Sequence, residues 1–348
     1  MRRALLVALV AALALPAVAP AAPPRRSFVL PEAVVGRPAL LGNSLFYVVR
    51  TRRDEVVKRL DLTTLQSVPV YSKRKRAWGF GGVRSGGGRV AVEVDDVNPR
   101  GGLATLVVEL NPSGGPPRVV ARGLLRGSCG SEVSLEDVSE EGALVIDRAG
   151  TACRRGAVTR HVLRRYPKLG PPAVLARYRE RSSDESRQWR LAGNRLLEGT
   201  ERGAVVRDLT TRATLRIRRR GRGYLVTWAD LNAAGSVVLG ELRFPSRTVR
   251  SFVRVFPPSA PGRALFDAAG IQDEPRFCGS RLVEQRVSPE RQELLAYDDL
   301  AAPPRLLFST ARVSRDLEIQ LACDADTAVL VDFTAARRTA VEVVPLAP

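Results

Sequence analysis

The chain has 348 residues, 45% of them hydrophobic and 26% charged, which is enough apolar material to bury a core and too much for a mostly disordered chain. Lysine and arginine total 55 against 36 acidic residues, a formal charge of +19 that attracts polyanions. Aromatic residues make up only 5%, which argues against a lectin or a single-strand nucleic-acid binder, where each subsite stacks on a ring.

Residues 1–21 read as an export signal. Arg2 and Arg3 form the charged start, Ala4 to Leu15 the apolar stretch, and Ala19-Pro20-Ala21 a small-residue cleavage site. Pro16 and Pro20 interrupt the run before it reaches the roughly 20 apolar residues of a membrane anchor. Residues 22–348 then read as one domain, secreted or extracytoplasmic, with no transmembrane segment and expected to be a monomer. Cys129, Cys153, Cys278 and Cys323 suit that oxidising destination as two disulfides.

A short apolar run, Ser27 to Leu30, stands alone at the start. The first full unit follows as PALLG (38–42), SLFYVVR (44–50), VVKRLDL (56–62) and SVPVYS (67–72). Such short alternating runs between turn residues predict strands with one buried face, four to a unit. The second unit runs from Gly81 to Gly123, the third from Val133 to Tyr178, and the fourth from Gln188 to Arg219. The fifth covers Tyr224 to Phe266 and the sixth Arg276 to Thr310. The last has only three strands, LEIQLACD (317–324), TAVLVDF (327–333) and AVEVVPL (340–346).

A small turn residue separates the first and second strands: Gly42, Gly88, Gly142, Gly193, Gly235 and Gly279, at spacings of 46, 54, 51, 42 and 44. Four strands per unit at a period near 45 residues predict an all-β propeller of about seven four-stranded blades. Ser27 to Leu30 is the natural fourth, outermost strand of the last blade, sealing the ring's open edge. Cys278 and Cys323 occupy the same column in adjacent units, so a bridge there would tie neighbouring innermost strands. Cys129 and Cys153 flank a strand pair and could form the other bridge, although four cysteines allow three pairings.

Two turns carry a family resemblance. Ser139-Glu140-Glu141-Gly142 before ALVID, and Ser288-Pro289-Glu290 before ELLAYDD, resemble the Ser-Pro-Asp-Gly turn of the degenerate bacterial β-propellers of the TolB or WD-repeat-like type. Glutamate stands where that family has aspartate, and no unit has its Trp-Asp or Gly-His signature. The resemblance implies a ring-shaped scaffold, a fold that hosts binding modules and enzymes alike.

No catalytic, metal or cofactor motif is present. His161, the sole histidine, reads as an ordinary strand residue, and Gly127-Ser128-Cys129-Gly130-Ser131 lacks the spacing of a nucleophile elbow. Asp95-Asp96 and Asp298-Asp299 are strand neighbours that point to opposite faces, and Asp324 with Asp326 reads as turn-forming. The innermost strands, among them PALLG, WRLAG and RFCG, offer few candidate ligands. An enzyme using the central channel, a lyase or lactonase of the propeller type, therefore ranks second.

The basic clusters carry the leading expectation. Arg52-Arg53 and Arg154-Arg155 lie between second and third strands. Lys73-Arg74-Lys75-Arg76 and Arg218-Arg219-Arg220 with Arg222 lie between a fourth strand and the next unit's first. In a propeller both kinds of loop emerge on one face. The expected function is a non-catalytic, cofactor-free scaffold binding an anionic envelope polymer or acidic protein there. Arginine's forked donors suit phosphate and carboxylate. Export and the scarcity of rings argue against nucleic acid.

Overall fold

The computed structural model describes residues 25–346 except 75–78, 98–102, 127–128, 141, 151–158, 181–186, 244–249, 259–261, 270–271, 289, 301, 312–318 and 336–337. Among the described residues there are 28 strands and no helix, so none that could cross a membrane. Neighbouring strands pair antiparallel, and all but the first, Arg26–Leu30, pair in chain order, as hairpins with short turns dictate. They make six hydrogen-bonded sheets, five of four strands and one of eight.

The eight-stranded sheet is two units in series. Its halves, Phe80–Gly86 to Arg118–Arg126 and Cys129–Ser139 to Ala173–Glu180, join only where Cys129, Gly130 and Ser131 pair with Arg126, Leu125 and Leu124. The 28 strands thus form seven four-strand units, the blades of a propeller.

The apolar core says the same. It consists of clusters that each lie between two adjacent blades. Strand Ser44–Arg50 shows how alternation builds them: Leu45, Tyr47 and Val49 pack toward the seventh blade, Phe46 and Val48 toward the second. Both faces of a blade are covered, so this inner strand reads as a continuous apolar run.

Side chains stitch the blades where their innermost strands meet. Ser85 Oγ donates to Leu40 O (2.6 Å), and Arg84 Nε to Leu135 O (3.0 Å). Asp137 accepts from Leu191 N (2.9 Å), Gln188 from Ala229 N (3.0 Å), and Asp230 from Phe277 N (2.7 Å). Arg276 Nη1 donates to Leu321 O (2.8 Å); at the closing seam Thr339, on the third strand of the seventh blade, accepts from Val34 N (3.1 Å).

The ring closes as expected from the chain's two ends. Arg26–Leu30 pairs with Arg338–Pro345, from Arg26 opposite Val343 to Leu30 opposite Thr339, and supplies the outermost strand of the seventh blade. Cys278 and Cys323 form a disulfide between the innermost strands of the sixth and seventh blades, with Cα atoms 5.5 Å apart. Cys153, the expected partner of Cys129, lies outside the described residues, as does the export signal.

One column of the sequence reading needs correction. The structurally equivalent turn glycines are Gly42, Gly87, Gly193 and Gly279, with φ of 52°, 54°, 55° and 63°. Gly87, not Gly88, is the second blade's member. A Cβ at Gly42 or Gly193 would meet nothing within 4 Å, so glycine is there for the left-handed backbone alone.

Candidate functional site

The innermost strands surround a central cavity of about 520 Å³. The sequence reading expected few ligands here, and the structure corrects it. Arg37 comes from the first blade, Arg84 from the second, Asp137 from the third and Arg190 from the fourth. Trp228 and Asp230 come from the fifth and Arg276 from the sixth. Arg84, Arg190 and Arg276 each lie three residues before the positive-φ turn glycine of blades two, four and six. An Arg-x-x-Gly recurrence was the available signal. It hid in a chain where arginine is everywhere.

The guanidiniums gather around one indole. Those of Arg37, Arg190 and Arg276 lie 5.6, 5.6 and 5.1 Å from the Trp228 ring centroid, within cation–π range. Arg190 Nε is 3.5 Å from Asp230 Oδ1, and Arg276 Nη2 donates to Glu274 at 3.2 Å. Arg276 Nε and Trp228 Nε1 are buried donors that meet no acceptor among the described residues.

Burial governs the charge states. It holds the carboxyls of Glu93, Asp137 and Asp230 above the usual range, only partly offset by the neighbouring arginines and backbone N–H groups. The same burial pulls the Arg84 and Arg276 guanidiniums down. Repulsion from Arg190 adds to it at Arg84, and from Arg37 at Arg276. Among the described residues no group of three His, Cys, Asp or Glu side chains is placed to hold a metal ion.

The basic loops divide into two kinds. Arg52, Arg53, Arg218 and Arg222 are exposed and make no side-chain ion pair with another described residue. Lys73 is engaged: its Nζ donates to Asp95 O (3.1 Å) and lies 3.1 Å from Asp96. Arg219 donates to Tyr224 O at 3.0 Å, and Arg220 lies over the Phe252 ring at 4.7 Å. The structure brings Arg52 and Arg53 to the same end of the first blade as Lys73 and Arg74, since Asp54 pairs with Arg74 and Glu55 with Lys73. Arg218 to Arg222 sit apart, between blades four and five. Lys75, Arg76, Arg154 and Arg155 lie outside the described residues.

Other candidates have structural roles. His161 is 4% exposed and stacks on Tyr178 at 4.6 Å, inside a third strand. Asp324 accepts from Asp326 N and Thr327 N, as a turn former does. Asp298 pairs with Arg281 and Arg305.

Comparison with known proteins supports the fold. No protein-family model and no curated protein matches the chain. Among solved structures, the chain is similar to the β-propeller domain of the trilobed protease from Pyrococcus furiosus, at TM-score 0.57 and 8% identity over 92% of this chain and 97% of that one. It is also similar to oligogalacturonate lyase from Vibrio parahaemolyticus (TM-score 0.59, 10% identity, 93% and 97% covered). The polysaccharide lyase Uly1 gives 0.53 and 8%, with 90% of each chain covered. These likenesses establish a β-propeller. That protease domain is described as having an open velcro topology, whereas here Arg26–Leu30 closes the seventh blade.

Proposed function

We propose that this chain is an exported, non-catalytic β-propeller scaffold that docks an anionic polymer of the cell envelope, or an acidic protein, on its basic loop face. One observation supports this above all: at that end of the blades carboxylates are buried and guanidiniums are exposed. Glu55 is 2% exposed, Glu198 7% and Glu241 0%, each hydrogen-bonded to arginine. Arg52, Arg53, Arg218 and Arg222 stay in solvent. The surface is therefore more cationic than the composition alone requires.

The enzyme reading draws on the channel and on the lyases among the fold's relatives. Its acid–base candidates, Asp137 and Asp230, are engaged with backbone N–H groups of the next blade, so the scaffold reading stands first.

The test is co-sedimentation of the mature protein with polyphosphate and with polyglutamate across a salt series. Binding should fall steeply with salt, as counterion release requires. Combining Arg52→Glu, Arg53→Glu, Arg218→Glu and Arg222→Glu should flatten the log–log salt slope by about one for each arginine that touches the polymer. No binding at low salt, or binding unchanged in that variant, would overturn the proposal.

A further inference from the structure

We propose that the central channel is a separate site for a small, hydroxyl-bearing monocarboxylate, held by Arg84, Arg190 and Arg276 beside Trp228. This does not rest on the docking face, which concerns a polymer and a different end of the blades.

Placement is the first argument. Three arginines at the same position of alternate blades converge on one cavity, although 106 and 86 residues separate them in the chain. The fold does not need a charge there, because the first and seventh blades carry Ala39 and Leu321 at the equivalent position. Like charges crowded into a buried cavity repel one another and lose hydration, a cost that an incoming anion removes.

Unsatisfied donors are the second. A guanidinium offers five N–H groups. Arg84 donates one bond to Leu135 O, and Arg276 spends its bonds on Leu321 O and Glu274. Arg276 Nε and Trp228 Nε1 remain buried without an acceptor among the described residues, and such groups ordinarily find a partner. The Trp228 ring gathers Arg37, Arg190 and Arg276 without neutralising them, and Arg84 comes to the cavity from the second blade.

Shape and size select the ligand class. Four lining arginines face Glu93, Asp137 and Asp230, and Glu274 pairs with Arg276, so the fork geometry of the guanidiniums rather than a surplus of charge chooses the ligand. Forked guanidiniums match the planar carboxylate. Asp137 meets the backbone N–H groups of Leu191 and Val138, and Asp230 those of Phe277 and Leu231 with Arg190 3.5 Å from its Oδ1; with about four acceptor sites per carboxylate, each keeps some capacity for ligand hydroxyls. A volume of about 520 Å³ falls within the range of small-molecule sites.

The probe is D-glucuronate, with D-glucose and inorganic phosphate as controls, followed by titration calorimetry and tryptophan fluorescence. Glucuronate should bind saturably and at least about tenfold more tightly than either control. Arg276→Lys keeps the charge but loses the fork and should weaken binding about tenfold. Trp228→Phe should lose the fluorescence response. The variant reversed at Arg52, Arg53, Arg218 and Arg222 should bind glucuronate as the unaltered protein does. No saturable response up to ~10 mM, phosphate binding tighter than glucuronate, or loss in the face-reversed variant would each overturn the proposal. If Arg276→Lys fails to fold, glucuronate against glucose on the unaltered protein still decides.

Discussion

Carboxylates and guanidiniums meet in two regions of this ring, and they are arranged in opposite ways. Within single blades the pairs are closed. Glu241 accepts both arms of Arg254, at 2.6 and 2.7 Å, and the Arg220 backbone N–H at 2.9 Å. Glu198 is shared by Arg187 and Arg207, and Glu109 by Arg89 and Arg118. In the channel the array is more open: Asp137 and Asp230 turn an oxygen to the next blade's backbone, Arg190 lies 3.5 Å from Asp230, and Arg276 Nε meets no acceptor among the described residues. Closed pairs fasten strands, whereas an open array leaves charge for something else to meet.

Breaking a closed pair should have the largest effect. Glu241 is fully buried and Arg254 largely so, and Glu241→Ala leaves Arg254 with Arg218 O as its remaining acceptor and takes the acceptor of the Arg220 N–H away. Removing one partner of a buried pair costs about 3–5 kcal/mol, while replacing both with apolar residues is often neutral. Urea denaturation of Glu241→Ala should therefore show a large loss, and the double variant Glu241→Leu with Arg254→Leu should recover most of it. A single-variant loss below about 1 kcal/mol, the range of a surface ion pair, would erase the distinction between closed and open.

The junction between the sixth and seventh blades comes next. Between the third and fourth blades, and between the fifth and sixth, a carboxylate of one blade accepts an N–H of the following blade. Here Arg276 donates to Leu321 O and the Cys278–Cys323 bridge stands in for the carboxylate. The bridge spans 45 residues, for which loop-closure entropy predicts a loss of about 2–4 kcal/mol in Cys278→Ser with Cys323→Ser. Thermal melts with and without reductant check this. A negligible shift would mean that the apolar cluster around Leu321 and Leu330 holds the seam alone.

Much of the fold was legible because its cause is local. Alternating runs and turn glycines announce strands, and an unpaired run at one end matches a three-stranded unit at the other. The channel was not legible in the same way. Arg84, Arg190 and Arg276 recur before glycine, yet 51 of 55 basic residues are arginine, so no single one stands out. Their meaning depends on ring closure, which brings blades two, four and six to one axis. The buried acids left a fainter trace, a glutamate inside an otherwise apolar second strand, as in RLLEGT, VVLGELR and RLVEQRV. The proposed docking face was legible only in part. Lys73 and Arg219 turned out to be engaged at home, which a list of charges does not reveal.

The smallest effect sharpens the comparison most. Burial raises the Asp137 carboxyl above its ordinary value, so between the unfolded and folded pKa values the folded state binds more protons. Stability then falls as pH rises through that window, and the loss persists above it. Asp137→Asn removes the charge but keeps an oxygen to accept the Leu191 N–H. The variant should match the unaltered protein or exceed it by up to about 1 kcal/mol at neutral pH, with a shallower decline on leaving acid. Asp137→Leu also discards the acceptor and should cost about 1–3 kcal/mol, the price of a buried N–H without a partner. Urea midpoints across the acid-to-neutral range distinguish the two. If Asn costs as much as Leu, the negative charge itself is structural through Arg190. The channel would then be one more closed array, with Arg190 held to Asp137 rather than open to a ligand.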